Sequence, residues 1–250
     1  DAQESRGLGD VYKRQELTYE LVHFTARHRD DEYEFGGEMY TGLELADHVR
    51  ATMREKLTGE AAPYNRVFTT NGIACTTASL ITASLGIRDL DAIEDPDVER
   101  IQAAHLLLAA YNAWQPGVFA LSGWDLVGAL PVDIDDVKQL VKDGDTRWIE
   151  RGAYDLMDLA PDAVKSSSGM PRARVLYGSL PQQLDDPQSF ASKLSKILHV
   201  RKRFALATAS LVDVPEVPHK ALLALVNRLS DGHTQITLLN FSEEKLSGYI

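Results

Sequence analysis

Cysteine is nearly absent from this sequence. Cys75 stands alone among 250 residues, so no disulfide can form within the chain. A chain of this length that is 44% hydrophobic buries a core large enough to hold without one. A single thiol suits a reducing compartment, and a cytoplasmic location is the expectation. Long apolar runs are missing too. The best candidate for a membrane span, Gly72 to Ile87, is too short and carries Thr76, Thr77, Ser79, Thr82 and Ser84. Cations are in the minority: 26 Lys and Arg face 37 Asp and Glu, a formal net charge of −11. That balance argues against nucleic acid and anionic membrane as partners, since both require clustered basic residues. The opening Asp1-Ala2-Gln3-Glu4-Ser5 has no initiator Met and no apolar stretch of the kind a signal peptide needs.

Several chemistries lack their signatures. The seven histidines show no paired metal-ligand spacing; His23 and His28 are five apart, and no Cys or carboxylate cluster joins them, so no metal site is expected. His105 falls on the apolar face of a helix and reads as a core residue. Ser166-Ser167-Ser168-Gly169 lacks the strand-turn-helix context of a nucleophile elbow. No glycine-rich nucleotide fingerprint is present.

What is present alternates strand and helix. Residues 6–15 carry no period that continues into Glu16 and beyond, and they resemble translated adaptor sequence, so 1–15 reads as a non-native leader. Glu44 to Leu57 predicts an exposed helix, with Leu45, Val49, Met53 and Leu57 on one side. Arg66 to Asn71 predicts a short strand and Ala74 to Leu85 a buried helix. Asp95-Pro96 predicts a helix start, with Asp95 as cap, leading to a face of Val98, Ile101, His105, Leu108 and Asn112. Gly117 to Leu121 is a continuous apolar run of the kind that forms a strand buried on both faces. Strand, helix, strand at this spacing predicts a βαβ unit with parallel strands. Val132 to Lys142 predicts another helix, and Asp143 to Asp186 a long polar loop excursion. Ser189 to Arg203 predicts a last helix. Beyond it the period changes to two: Phe204 to Val214, Ala221 to Leu229 and Thr234 to Phe241 predict strands, with a hairpin turn at Ser230-Asp231-Gly232-His233. A (β/α)8 barrel followed by a β-sandwich fits this order, and a doubly wound sheet accounts for the βαβ unit equally well.

Particular stretches carry a resemblance. Glu16-Leu17-Thr18-Tyr19-Glu20-Leu21-Val22 resembles the segment after the seventh-strand Asn-His-Asp motif of trehalose synthases, in the α-amylase superfamily (glycoside hydrolase family 13). Residues 111–126, including Gln115-Pro116-Gly117-Val118-Phe119-Ala120-Leu121-Ser122-Gly123-Trp124-Asp125, resemble the eighth-strand region, although the family's usual Gly-Asp-Glu wording is absent. Asp145-Thr146-Arg147-Trp148 resembles the loop beyond it, and Lys193 to Phe204 the last barrel helix.

The resemblance implies an α/β fold: the C-terminal part of a catalytic (β/α)8 TIM barrel over 16–203, then the start of an all-β sandwich-like domain over 204–250. It implies a piece of a maltose α-D-glucosyltransferase, an isomerase that interconverts maltose and trehalose. An α-glucosidase or α-amylase-type glycosidase is the alternative, and a non-catalytic carbohydrate-binding or accessory chain the second. In the family the nucleophile, the acid/base and the third Asp stand on strands four, five and seven. The first two lie outside the native part of this sequence and the third falls in the replaced segment, so no catalytic residue is assigned and the 250-residue chain is expected to be inactive alone. Glu16, Trp124, Asp125 and Arg147 are the expected substrate-binding residues, because barrel sites form on the loops after the strands and sugars stack on rings and bond to carboxylates. The implied partner is a small sugar (maltose, trehalose or an α-glucan). No cofactor is expected here, and calcium belongs to the family's absent part.

Overall fold

A computed structural model describes residues 16–246; the expected leader at 1–15 lies outside the described residues. The first sheet forms around a strand with no charge. β5 (Gly72–Ala74) is buried throughout and pairs antiparallel with β1 (Glu16–Thr18) on one side and β4 (Arg66–Thr69) on the other. Between β1 and β4 the chain makes α1 (Val22–Arg27), the hairpin of β2 (Glu32–Phe35) and β3 (Glu38–Thr41), and α2 (Gly42–Leu57). The start of α2 is set by Thr41. Its hydroxyl accepts from the Glu44 amide at 3.3 Å, and the Glu44 carboxylate accepts from the Thr41 amide at 2.8 Å. This reciprocal cap starts the helix two residues before the predicted Glu44.

The same device opens α3 (Thr77–Ser84), where Thr76 and Ser79 cap each other at 3.0 and 3.1 Å. α4 (Asp95–Ala113) begins one residue earlier than expected: Glu94 is the cap and Asp97 accepts its amide at 3.3 Å, while Asp95 and Pro96 are already helical. Its predicted face is the buried one, Ile101 and His105 both being fully covered. α5 (Gly123–Val127) follows, then α6 (Leu180–Asp185) inside the long excursion, and α7 (Phe190–Arg203), capped by Ser189. Phe190 and Leu194 of α7 pack on Ala109 of α4.

Three expectations are corrected. Gly117 to Leu121 is not a strand: Gly117 donates to Ala207 at 2.9 Å, and residues 118–121 have no backbone hydrogen bond among the described residues. An apolar run specifies burial, yet a strand exists only where a neighbour supplies the ladder. Without it the predicted parallel βαβ unit is not formed; every strand pair among the described residues is antiparallel, and they enclose no barrel. Finally, the helix expected over Val132 to Lys142 is a single 3-10 turn, Ile134–Val137. Asp133 caps this turn, its side chain accepting the Asp135 amide at 2.9 Å, and the helical turn ends at Val137.

The C-terminal sheet follows the sequence more closely. β6 (Ser210–Asp213), β7 (Leu222–Arg228) and β8 (Thr234–Asn240) lie in that order, all antiparallel, and Asp231-Gly232 turns the β7–β8 hairpin with Gly232 at φ 88°. Phe204, predicted to begin a strand, instead ends α7. The protein is therefore mixed α/β: small antiparallel sheets and helices alternate as far as β5, α3 to α7 follow with no strand between them among the described residues, and the last sheet comes after α7.

Candidate functional site

Two adjacent residues of α5 face different surroundings. Ser122 caps this helix: its hydroxyl donates to Asp125 Oδ2 at 2.7 Å, the Ser122 amide donates to the same oxygen at 3.1 Å, and the Asp125 amide donates back to Ser122 Oγ at 3.3 Å. Asp125 is only 2% exposed, and its other oxygen lies 3.7 Å from His105 Nε2 on α4. His105 Nδ1 in turn meets the Tyr177 hydroxyl at 3.1 Å. Burial pushes the His105 pKa down to about 4, against the opposing pull of the Asp125 carboxylate, so the imidazole is neutral. Burial, with the Asp125 charge beside it, pushes the Tyr177 hydroxyl upward. His105 reads from sequence as a core residue, and it is one, with its Nε2 lacking a hydrogen bond. Asp125, expected to bind substrate, is committed to fixing the start of α5 against α4.

Trp124 looks the other way. Its indole N–H donates to Gly152 O at 2.9 Å, and its ring sits 5.1 Å from Tyr154 in a tilted contact. Gly123 before it lets Tyr154 come close, since a Cβ there would stand 2.1 Å from the Tyr154 hydroxyl and push that ring aside. Trp124 is partly buried on the core cluster that holds Ala74, Val127 and Ile149.

Arg147 reaches that cluster from a different element. It lies on the 3-10 turn Thr146–Arg151, which Asp145 caps by accepting the Arg147 amide at 3.1 Å. The same carboxylate takes the guanidinium in a two-point bond, Nε at 2.7 Å and Nη2 at 3.0 Å. Asp145 is held below the usual carboxylate range by that bond. The guanidinium stacks over Phe68 of β4 at 5.1 Å. Two further bonds pin the turn to the first sheet: Thr146 donates to Val67 O at 3.1 Å, and the buried Glu150 accepts the Cys75 amide at 3.1 Å. Cys75 directly follows Ala74, and Ala74 is in register with Glu16 on β1.

Trp124, Arg147 and the backbone of Glu16 thus gather around β5, while Asp125 turns away toward His105. Sequence reasoning did not single out Glu150, Tyr177 or Tyr154. Their contacts join residues tens of positions apart, and only Glu150, three residues beyond Arg147, carried a local hint. Among the described residues no group of three or more His, Cys, Asp or Glu is placed to hold a metal ion, and no helix is long and apolar enough to cross a membrane. No protein-family model matches the chain, and no curated protein matches it.

Proposed function

We propose that this chain is the C-terminal part of the catalytic (β/α)8 barrel, and the start of the β-sandwich, of a retaining α-glucosyl-transferring enzyme that interconverts maltose and trehalose. The observation that carries the reading is the run Val118–Leu121. It lies between a 19-residue helix and the capped start of α5, is apolar, and leaves four consecutive residues without backbone partners among those described. Such a run is what a barrel strand is when its neighbours belong to another stretch of chain. A helix before it and a connecting segment after it match the order the resemblance calls for, and Trp124 on α5 and Arg147 on the turn Thr146–Arg151 both follow it in the chain, on the side where barrel sites form.

Retaining transfer needs a carboxylate nucleophile and an acid/base about 5 Å apart. On this reading both come from upstream strands, and the present residues shape the site. The acid protonates the oxygen leaving maltose as the nucleophile takes the glucosyl carbon. The freed glucose, held in place, then attacks that carbon with its 1-hydroxyl as the bond to the nucleophile breaks; the deprotonated acid/base takes the hydroxyl proton, and trehalose is released. Trp124 offers an aromatic wall and Arg147 a set of donors; both are oriented by neighbours before any sugar arrives, which lowers the ordering cost of binding.

The test is the product spectrum of a longer protein carrying this chain, incubated with maltose. Trehalose as the major product, with a little glucose, is the expected result. Glucose alone would make the enzyme an α-glucosidase, water having taken the place of the returning sugar. Turnover of maltose by the 250-residue chain itself would overturn the reading.

A further inference from the structure

We infer that β8 is an interface strand, along which two copies of this chain join edge to edge, antiparallel about Thr237, into one continuous sheet. β8 is the last strand on its side of the β6-β7-β8 sheet.

The free side of β8 follows from the phase of its ladder. At one end of the β7–β8 pair the Phe241 amide donates to Ala221 O at 2.7 Å; at the other the Leu229 amide donates to His233 O at 2.8 Å. Along antiparallel strands, residue pairs that exchange bonds alternate with pairs that do not. With Leu225 opposite Thr237 and Asn227 opposite Gln235, that alternation turns the backbone groups of Gln235, Thr237 and Leu239 toward β7. Those of Ile236 and Leu238 turn outward, where they meet no backbone partner among the described residues.

The two edges of the sheet differ. β6 has four residues, shifts register between Leu211 and Asp213, ends on that charge, and is soon followed by Pro215. Short length, irregularity, charge and proline are what keep an edge from pairing. β8 has none of them: seven residues, Thr234–Asn240, hold unbroken register without charge or proline. Ile236 is 54% exposed and Leu238 49%. On the other face, where Asn227 donates to Trp114 O at 3.3 Å, a groove of about 600 Å3 runs beside the edge, between Gln235 and Thr237 and the side chains of Val200 and Phe204. A strand laid along β8 has room there.

β8 is its own complement. Ile236 and Leu238 stand on either side of Thr237, so an antiparallel copy centred there sets Ile236 opposite Leu238 of the second copy. Outward amides then meet outward carbonyls in both directions. The same pairing brings the exposed Ile236 and Leu238 side chains of both copies together on one face. A slip of one residue would oppose outward groups to inward ones and lose the bonds. Charge agrees with this choice. The chain carries −11, so two copies repel over most of their surface, yet residues 234–242 hold no charge. Glu243, just beyond, is bound by Arg100 at 2.7 Å. The contact uses the same patch on both copies and closes with two-fold symmetry.

Sedimentation of the full 250-residue chain at rising concentration tests this. A two-chain mass that dissociates on dilution is expected. Leu238→Lys sets a charge in the middle of the edge, and Ile236→Pro removes an outward amide without touching the β7 ladder. Each should weaken association by about tenfold or more, with circular dichroism of the dilute chain unchanged. Leu211→Lys, the same change on the β6 edge, should leave it within about twofold. In the unaltered chain the Ile236 and Leu238 amides should exchange quickly when dilute and slow on association, while the Thr237 amide stays slow throughout. A single-chain mass up to the solubility limit, association that survives both Leu238→Lys and Ile236→Pro, or growth into open-ended assemblies would overturn the interface. So would a chain that stays single yet takes up a synthetic alternating Val-Thr peptide, which would give the edge to a foreign strand. Maltose turnover enters none of these readouts, so the interface and the proposed reaction can fail separately.

Discussion

His105 is the residue at which burial and charge oppose each other most directly. It is fully covered, touches the Phe190 ring at a centroid distance of 4.6 Å, bonds Tyr177, and has the Asp125 carboxylate 3.7 Å away. Desolvation wins over the carboxylate and lowers its pKa from 6.5 to about 4. Between those two values the unfolded chain binds a proton at this residue that the folded chain refuses. Stability therefore declines as pH falls through that window and is fully present above 6.5. Urea unfolding at pH 7 and pH 5 should show a lower midpoint at the acid pH. In His105→Gln, which keeps a polar side chain of similar reach beside Asp125, the gap between the two midpoints should shrink. An equal gap in both proteins would mean that the imidazole does not refuse the proton. Glu44, Asp145 and Asp155, whose pKa values are lowered from ordinary values of 4.5, 3.8 and 3.8, begin to lose their stabilisation only as pH falls through those values, below the pH 5 of the comparison, so they do not imitate the effect.

At the scale of the element, α2 shows what sequence carries and what it does not. Its apolar spacing announces the helix, and its true start depends on Thr41 and Glu44, a pair visible in the sequence as Thr-x-x-Glu. Gly42 between them gives no such signal. The reason for a glycine there is the end of α1: a Cβ on Gly42 would sit 1.8 Å from His28 O, a backbone atom that cannot swing away. Alanine ordinarily favours a helix over glycine by at most about 1 kcal/mol. Overpacking against backbone costs about 1–3 kcal/mol, so the clash prevails. Gly42→Ala should therefore lower stability more than Thr41→Ala, which forfeits a cap worth about 1 kcal/mol. Chemical denaturation of the two variants decides the order, and a more stable Gly42→Ala would show that the two elements do not meet so closely. The same contrast runs through the molecule. α4, α7 and the β7–β8 hairpin were legible because period, caps and the Asp231-Gly232 turn are local. The 3-10 turn at Ile134–Val137 was not, because its cap at Asp133 and its apolar spacing are the signals of a longer helix and no glycine or proline directly follows Val137 to mark the early stop. At the site, Trp124 and Arg147 were legible as residue types, and their gathering around β5 was not, since Phe68, Gly152 and Tyr154 are remote in sequence. The burial of Asp125 against His105 was hidden for the same reason.

At the scale of the whole molecule, one apolar run of four residues goes without backbone partners among the described residues. Val118, Phe119, Ala120 and Leu121 are apolar, and Val118 is 78% exposed, yet their neighbours on both sides are firmly held. Arg201 donates to the carbonyls of Ala113, Gln115 and Gly117, clamping the end of α4, and Ser122 caps α5. The run is thus suspended between two rigid points with its amides unpaired, an arrangement that water tolerates and a barrel would complete. Amide exchange separates these states. In the 250-residue chain the four amides should exchange as rapidly as those of an open loop, while the buried amides of α4 around Ile101 and Ala109 stay protected. In a longer protein that supplies the flanking strands, the proposed reading requires the same four amides to become as slow as the core. Protection already present in the 250-residue chain would mean that the run has found partners within it. Continued rapid exchange in the longer protein would remove the last strand from the barrel, and with it the placement of Trp124 on a loop facing the sugar.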